Sequence, residues 1–368
     1  MAAQRGPAKS RKVSVSSIEV ARLAGVSQAT VSRVFTPGAS ASEEMRTKVM
    51  AAAKKLCYRP NAIARSLTQR STHMVGLMMA DFMNPFCNRL LQGLSAKLQA
   101  RGYWTLLLNV APRDGLDQIL HAALQYQVDG LIVTSAMLSS RMADECARLG
   151  TPVVLLNGYP PESSMKAVCC DDMRAGRLVA DILIAAGHQR FACIAGGSGS
   201  AASQDRERGF VARLRERGYE FTAREKGDDS YESGYLAAKR LFDRGQRPDA
   251  IFCANDLMAT AALDVVRWEL GLRVPEDLSS IGFDHILQTA LPGYDLATVR
   301  QPVERMADAI IELLLSAIKN PDGEHIVRMF TPALALRGLA GLEPQPLIVI
   351  AYPESPASNR MCWACGSC

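Results

Sequence analysis

The segment Val20-Ala21-Arg22-Leu23-Ala24-Gly25-Val26-Ser27-Gln28-Ala29-Thr30-Val31-Ser32-Arg33-Val34 holds two short helical patterns on either side of a glycine. Upstream, Ser16-Ser17-Ile18-Glu19 has the form of a capping box, so a first helix starts there with Val20, Ala21 and Ala24 on one face. Gly25 suits the positive φ that ends a helix, Val26 plugs the turn, and Ser27 caps a second helix from Gln28 to Phe35. Val31 and Val34 then point inward. A small residue where the helices touch, a glycine at the turn and branched anchors on the second helix are the spacing of a helix-turn-helix. A third helix, capped around Ser40 to Glu43, aligns Met45, Val49, Ala52, Ala53 and Leu56 and closes a three-helix core.

With Val31 and Val34 buried, the second helix presents Gln28, Ala29, Thr30, Ser32 and Arg33, with Ser27 at its start. These residue types match major-groove chemistry. Arginine pairs bidentately with guanine, glutamine with adenine, a methyl meets thymine, and hydroxyls bond phosphate. Charge distribution agrees. The whole chain of 368 residues is +5, yet residues 1–72 carry 13 Lys plus Arg against three acids, a net +10; the remainder carries 29 bases and 34 acids. A cationic module on a mildly acidic body is suited to a polyanion, because each phosphate neutralised releases counterions.

The Val20–Val34 segment resembles the headpiece of the lactose-repressor/galactose-repressor (LacI/GalR) family of bacterial transcription regulators. The next stretch, Tyr58-Arg59-Pro60-Asn61-Ala62-Ile63-Ala64-Arg65-Ser66-Leu67, is similar to that family's hinge, which becomes helical on operator DNA and pushes a leucine into the minor groove. The resemblance implies DNA contacts from Asn61, Ala64 and Leu67. Pro60 suits a first helical position, and a helix of about eight residues is too short to persist alone, so its folding can be coupled to DNA binding. Apolar wedging at a base step bends DNA. A headpiece over residues 13–57 and a hinge over 58–72 are therefore expected.

From His73 the pattern changes to short apolar runs alternating with helical stretches: Met74 to Ala80, Trp104 to Val110, Gly130 to Ser135, Pro152 to Asn157, Phe191 to Ala195, Ala250 to Ala254 and Leu278 to Phe283. Such repeats imply an α/β body of parallel sheets with helices on both faces, and about 270 residues suffice for two lobes. Ligands of α/β lobes bind beyond the carboxyl ends of strands, which selects Asp81, Asn84, Asp171, Asn255 and Asp284.

The family resemblance extends over this body to about Gly341, through Asn84-Pro85-Phe86, Val128-Asp129-Gly130-Leu131-Ile132, Ala186-Gly187-His188-Gln189-Arg190, Arg206 four residues before Phe210, Cys253-Ala254-Asn255-Asp256, Val274-Pro275-Glu276-Asp277-Leu278-Ser279, Gly282-Phe283-Asp284 and Val299-Arg300-Gln301-Pro302. It implies a two-lobed periplasmic-binding-protein-like body with two parallel sheets over residues 73–341. It also implies effector contacts from Asp171, Arg206, Asn255 and Asp284, with Asn84 and Phe86 lining the other lobe. Carboxylates, an amide and a guanidinium suit a polyhydroxylated effector such as a sugar or sugar acid. Where the family often stacks an aromatic on its ligand, ahead of Ser233-Gly234-Tyr235, this chain has Asp229, with Tyr231 nearby.

Rival chemistries have weaker signals. Gly197-Ser198-Gly199-Ser200-Ala201-Ala202 mimics a dinucleotide fingerprint, as a nicotinamide-dependent oxidoreductase would need, but it follows several strands and leads into Asp205-Arg206-Glu207-Arg208. His188 belongs to no Ser/His/Asp set among five scattered histidines and fits a helix terminus. A sugar-binding receptor without DNA function would share the body but lack the headpiece. Cys57, Cys87, Cys146, Cys169, Cys170, Cys193 and Cys253 mostly lie in apolar segments, as reduced buried thiols do. Cys362, Cys365 and Cys368 resemble a metal motif with no fourth ligand, in a disordered tail over residues 342–368 rich in proline. No apolar stretch reaches the roughly 18 residues of a membrane span, and no signal core follows the basic start. The sequence is thus read as a cytoplasmic, non-enzymatic, allosteric repressor of double-stranded operator DNA. It needs no cofactor or metal and forms a homodimer, since the tail lacks leucine heptads.

Overall fold

The computed structural model describes residues 15–36, 38–61, 71–79, 82–110, 116–134, 140–158, 165–243, 245, 247–321, 324 and 326–338. Contacts divide the chain into Met1–Thr72 and His73–Cys368.

The first unit holds α1 (Ser17–Ala24), α2 (Gln28–Val34) and α3 (Glu43–Lys55). The capping box is formed: the Glu19 N–H donates to Ser16 Oγ at 3.3 Å, and the Ser16 N–H donates to Glu19 Oε2 at 2.7 Å. Gly25, at φ 67°, ends α1, and the Val26 N–H then reaches back to the Ala21 carbonyl at 3.0 Å. Ser27 caps α2 and Ser42 caps α3. Val20, Ala21, Val31, Val34, Val49 and Ala52 are buried together. Met45 departs from the sequence expectation: it is exposed, and Val49, one turn on, is the first buried residue of α3.

In the second unit β1 (Met74–Met79), α4 (Pro85–Ala100), β2 (Trp104–Asn109), α5 (Leu116–Gln125), β3 (Gly130–Val133), α6 (Ser140–Arg148), β4 (Val153–Leu156) and β5 (Lys166–Cys170) follow one another. Next come α7 (Asp172–Ala185), β6 (Phe191–Ala195), α8 (Ala201–Glu216), β7 (Phe221–Lys226), α9 (Tyr231–Phe242), β8 (Ala250–Cys253) and α10 (Asp256–Asp264), which a π-helical turn, Val265–Glu269, prolongs. The chain ends through β9 (Ser279–Phe283), a 3₁₀ turn at Leu287–Ala290, β10 (Ala297–Arg300), α11 (Val303–Lys319), β11 (Val327–Phe330) and β12 (Ala333–Ala335).

Two six-stranded sheets result, ordered β11-β5-β4-β3-β1-β2 and β12-β10-β9-β8-β6-β7. The first is parallel throughout. The second is parallel as expected except at one edge, where the three-residue β12 runs antiparallel to β10. Strand interiors are nearly continuous apolar runs because both sheet faces are covered. Period-two alternation sorts them: Val75, Leu77 and Met79 enter one core while Met78 enters the other. The second sheet is sorted likewise, with Ile251 and Cys253 on one face and Ala250 and Phe252 on the other.

The first sheet and its helices form an N-terminal lobe, the second a C-terminal lobe. The chain passes between them three times, at Asp171, at Gln301-Pro302 and at Thr331-Pro332. β5, β7, β10, β11 and β12 had no counterpart among the strands expected from sequence. Cys146, Cys169, Cys170, Cys193 and Cys253 are buried, whereas Cys57 is exposed and Cys87 half-buried, which corrects the sequence reading for those two. Burial pushes the Cys146 thiol up to about 11 and that of Cys169 up to about 12. Cys169 and Cys170 are neighbours on β5 and face opposite cores.

Candidate functional site

On the first unit, packing of Val31 and Val34 leaves Ser27, Gln28, Ala29, Ser32 and Arg33 exposed and Thr30 half-buried. Ser27 and Thr30 serve the helix start, their hydroxyls 3.0 Å apart and the Thr30 N–H donating to Ser27 Oγ at 3.2 Å. Gln28 Nε2 donates to Ser17 Oγ at 3.0 Å, which ties α2 to α1. Among the described residues, the Arg33 guanidinium has no hydrogen bond or ion pair. Arg46, on α3, donates to the Val34 carbonyl at 3.3 Å and so closes the carboxyl end of α2, a role with no distinctive sequence signal. Asn61 is exposed; Ala64 and Leu67 lie outside the described residues.

In the C-terminal lobe one buried guanidinium organises the site. Arg206, 7% exposed, projects from α8, donates from Nε to Asp172 Oδ1 at 2.8 Å and from Nη1 to the Ala254 carbonyl at 2.7 Å. Its Nη1 is also 3.7 Å from Asp284 Oδ1, and its Cζ lies 3.5 Å from the centre of the Phe283 ring. Burial alone would weaken its hold on the proton; Asp172 and Asp284 more than offset this. The close approach of α7 and α8 depends on two glycines. A Cβ on Gly176 would lie 2.0 Å from the Arg206 carbonyl oxygen, and one on Gly209 would lie 2.1 Å from that of Met173.

Asp284 ends β9 at φ 107° and is 5% exposed. Its Oδ1 accepts from Gln301 Nε2 at 2.8 Å, and burial pushes its carboxyl up to about 7, against the pull of Arg206. Gln301 sits in the second crossing between the lobes. Its Oε1 lies 3.5 Å from Asn157 Nδ2, and Asn157 Oδ1 accepts the Cys170 N–H at 3.4 Å beside the first crossing. A hydrogen-bonded path therefore joins the buried carboxyl to both segments.

Asn255 caps α10, its Oδ1 accepting the Met258 N–H at 2.8 Å while its Nδ2 donates to the Asp229 carbonyl at 2.8 Å. Asp229, at φ 75°, accepts the Gly197 N–H on Oδ2 at 3.0 Å. Ser203 Oγ accepts the Gly196 N–H at 3.0 Å. These loop amides are thus held inside the protein and are not presented to a pyrophosphate. Asp171 caps α7, with Oδ1 accepting the Arg174 N–H at 3.0 Å, and its own N–H donates to the Phe330 carbonyl at 2.9 Å.

The structure therefore brings Arg206, Asp284, Asp172 and the Asn255 turn together and sets Asp171 beside them on the first crossing. Asp172, not the neighbouring Asp171, holds the guanidinium. Asp172 and Gln301 had no role in the sequence reading; the Asp171-Asp172 pair and the Gln301-Pro302 step were their only signals. Asn84 and Phe86 stand apart in the N-terminal lobe. The Asn84 side chain accepts the Phe86 N–H at 3.0 Å as cap of α4, and the Phe86 ring belongs to a core that also takes in Ile286 from the C-terminal lobe. His188 lies 3.6 Å from Asp249 and is pulled down by burial, in keeping with a terminal position after α7. Among the described residues no cluster of metal-ligating side chains occurs, and no helix is long and apolar enough to cross a membrane. Asp81 and the tail from 342 onward lie outside the described residues.

The model of bacterial regulatory proteins of the lacI family matches residues 18–61, and that of periplasmic binding protein-like domains matches residues 180–338. The chain is 32% identical over 330 residues to the ribose operon repressor of Escherichia coli K12, which covers 88% of this chain and 98% of the relative. The chain belongs to the LacI family. A second relative of this kind is the PurR transcriptional repressor of Photobacterium profundum, 32% identical over 329 residues, covering 87% of this chain and 96% of that protein. The lac repressor dimer bound to operator and the anti-inducer ONPF superimposes with a TM-score of 0.81 at 25% identity, covering 89% of this chain and 99% of that one. A CelR transcriptional regulator in complex with cellobiose gives 0.67 at 31% identity, covering 88% and 99%. As a LacI-family member the chain is a helix-turn-helix transcription regulator and not an oxidoreductase or other enzyme.

Proposed function

We propose that this chain acts as a homodimeric repressor whose grip on a pseudo-palindromic operator is set by a small polyhydroxylated effector. The carrying observation is the outward face of α2, where Arg33 stands exposed, without a hydrogen bond or ion pair among the described residues, beside Gln28, Ala29 and Ser32. A guanidinium held ready on a rigid three-helix core reads the O6 and N7 edge of guanine, while Ser27, Thr30 and the amide oxygen of Gln28 fix the helix on backbone and bases. Asn61, Ala64 and Leu67 extend this interface into the central minor groove, a role that follows from the hinge sequence. Asp171, Arg206, Asn255 and Asp284 hold the effector from one lobe and Asn84 and Phe86 from the other. Differential affinity for two lobe arrangements moves the hinge; tenfold discrimination corresponds to about 1.4 kcal/mol per site. The sugar complexes of structural relatives and the operator-bound dimer support this reading.

Footprinting of genomic fragments tests it. The expected result is protection of a two-fold site one helical turn per half-site, which sugars relieve or strengthen; binding no tighter than to bulk competitor DNA would remove the reading. Sedimentation distinguishes dimer from tetramer.

A further inference from the structure

In the first unit α1 begins beside the start of the recognition helix. Gln28, the first residue of α2, donates from Nε2 to the hydroxyl of Ser17, the first residue of α1, at 3.0 Å. Val15 packs against the three-helix core and the Ser16 N–H is held by Glu19, so the point at which the chain enters α1 is fixed. In a helix-turn-helix the amino-terminal residues of the second helix meet the base edges. The chain ahead of Val15 therefore joins the headpiece on its DNA-reading side.

Residues 1–14 lie outside the described residues, and their composition is one-sided: Arg5, Lys9, Arg11 and Lys12 stand against no acid. Four of the 13 cations of residues 1–72 are thus gathered ahead of the headpiece. Of that unit's three acids, Glu19 is engaged by Ser16 and Glu44 by Lys48, which leaves Glu43. Chain geometry limits Lys12 to about 11 Å from Val15 and Arg5 to about 36 Å, close to one turn of duplex DNA. From this placement we infer that residues 1–14 are a second DNA-contacting element, an arm that sets Arg5, Lys9, Arg11 and Lys12 on the phosphates flanking each half-site. Cations on phosphates release counterions whatever the base sequence, so the arm adds affinity and salt dependence while the α2 face supplies the sequence preference. The inference rests on the operator-binding reading above and extends it beyond the helix-turn-helix.

The test compares the full-length protein with its Arg5→Gln/Lys9→Gln/Arg11→Gln/Lys12→Gln variant by fluorescence anisotropy, from about 50 to about 300 mM NaCl. Two duplexes of equal length serve as probes, a genomic fragment that the wild type protects, carried with its own flanks, and one of random sequence. Each phosphate contact contributes about 0.9 to the slope of log affinity against log salt, so the variant's slope should be shallower by about 2 or more on both duplexes. At the lowest salt its affinity should fall at least tenfold on both, and a melting curve confirms that it is folded. Equal slopes in the folded variant overturn the inference. So does tighter binding by the variant, which would place the arm on the acidic body, and so does a loss confined to the protected fragment, which would mean base reading. Wild type that protects no genomic fragment sinks the operator reading, and the random duplex still decides on the arm; a clear footprint with unchanged slopes sinks the arm alone.

Discussion

Gln301 Nε2 donates to Asp284 Oδ1 at 2.8 Å, so a residue of a lobe crossing holds the carboxyl that faces Arg206. If Asp284 contacts the effector, as proposed above, effector chemistry and lobe geometry meet at this bond. Gln301→Leu removes the donor and leaves a buried acceptor unsatisfied, an expense of about 1 to 3 kcal/mol in stability. It should also flatten the response of operator binding to effector by at least tenfold while headpiece binding without effector persists. Gel shifts with and without effector, alongside chemical denaturation, measure both; a full response in a folded variant would rule out the path through Gln301.

Arg33→Ala should weaken binding to the operator by about 1 to 3 kcal/mol and relax preference at one base pair, because the lost contact is to a base edge. Affinity for random DNA should change far less. Equal losses on both, in competition titrations, would assign Arg33 to phosphate contact.

Gly176→Ala or Gly209→Ala sets a methyl against the backbone of the facing helix, at 2.0 Å and 2.1 Å from its carbonyl oxygens. Neither oxygen can move without shifting a helix, so overpacking of about 1 to 3 kcal/mol is expected. The ion pair from Arg206 to Asp172 is pulled apart with it. A fall in melting temperature of the body, with loss of effector binding, is the expected outcome in calorimetry; an unchanged melt would show that the helices can separate freely.

Asp284 is pushed up from 3.8 to about 7 by burial, with Arg206 pulling the other way. A folded-state value above the unfolded one means the native state binds the extra proton between pH 4 and 7, so this group's contribution falls as pH rises through that window. Asp172 and Asp256, raised first by burial, act in the same sense. His285, pulled down to about 4 by burial and then by Arg337, acts in the opposite sense between pH 4 and 6.5. The discriminating measurement is therefore the difference between wild type and Asp284→Asn. Relative to the variant, wild type should lose stability from pH 5 to pH 7.5 in denaturant titrations, and parallel curves would contradict a buried titrating carboxyl here.

The headpiece was legible almost residue by residue, because a capping box, serine caps, a positive-φ glycine and the spacing of Val31 and Val34 are local rules written within one or two helical turns. Met45 misled because periodicity gives a stripe and not its edges; the buried stripe of α3 begins only at Val49. In the body, β1, β3, β4, β6, β8 and β9 announced themselves as unbroken apolar runs. The edge strands β7 and β11 alternate exposed with covered residues and were passed over, as was β12, three residues long and antiparallel. At the site, strand-end polar residues led to Asn255 and Asp284, while Asp172 and Gln301 stayed hidden. Their roles arise from contacts 34 and 17 residues away in sequence, the first of them across the glycine contact between α7 and α8, which no single-segment pattern encodes.

The three crossings of the chain between the lobes set how this protein can be recombined. Residues 1–72 form an uninterrupted module, so a single splice at that boundary exchanges the DNA address. Each half of the body is completed by segments that return from the other, so a cut at either lobe boundary removes strands or helices from both sheets' layers.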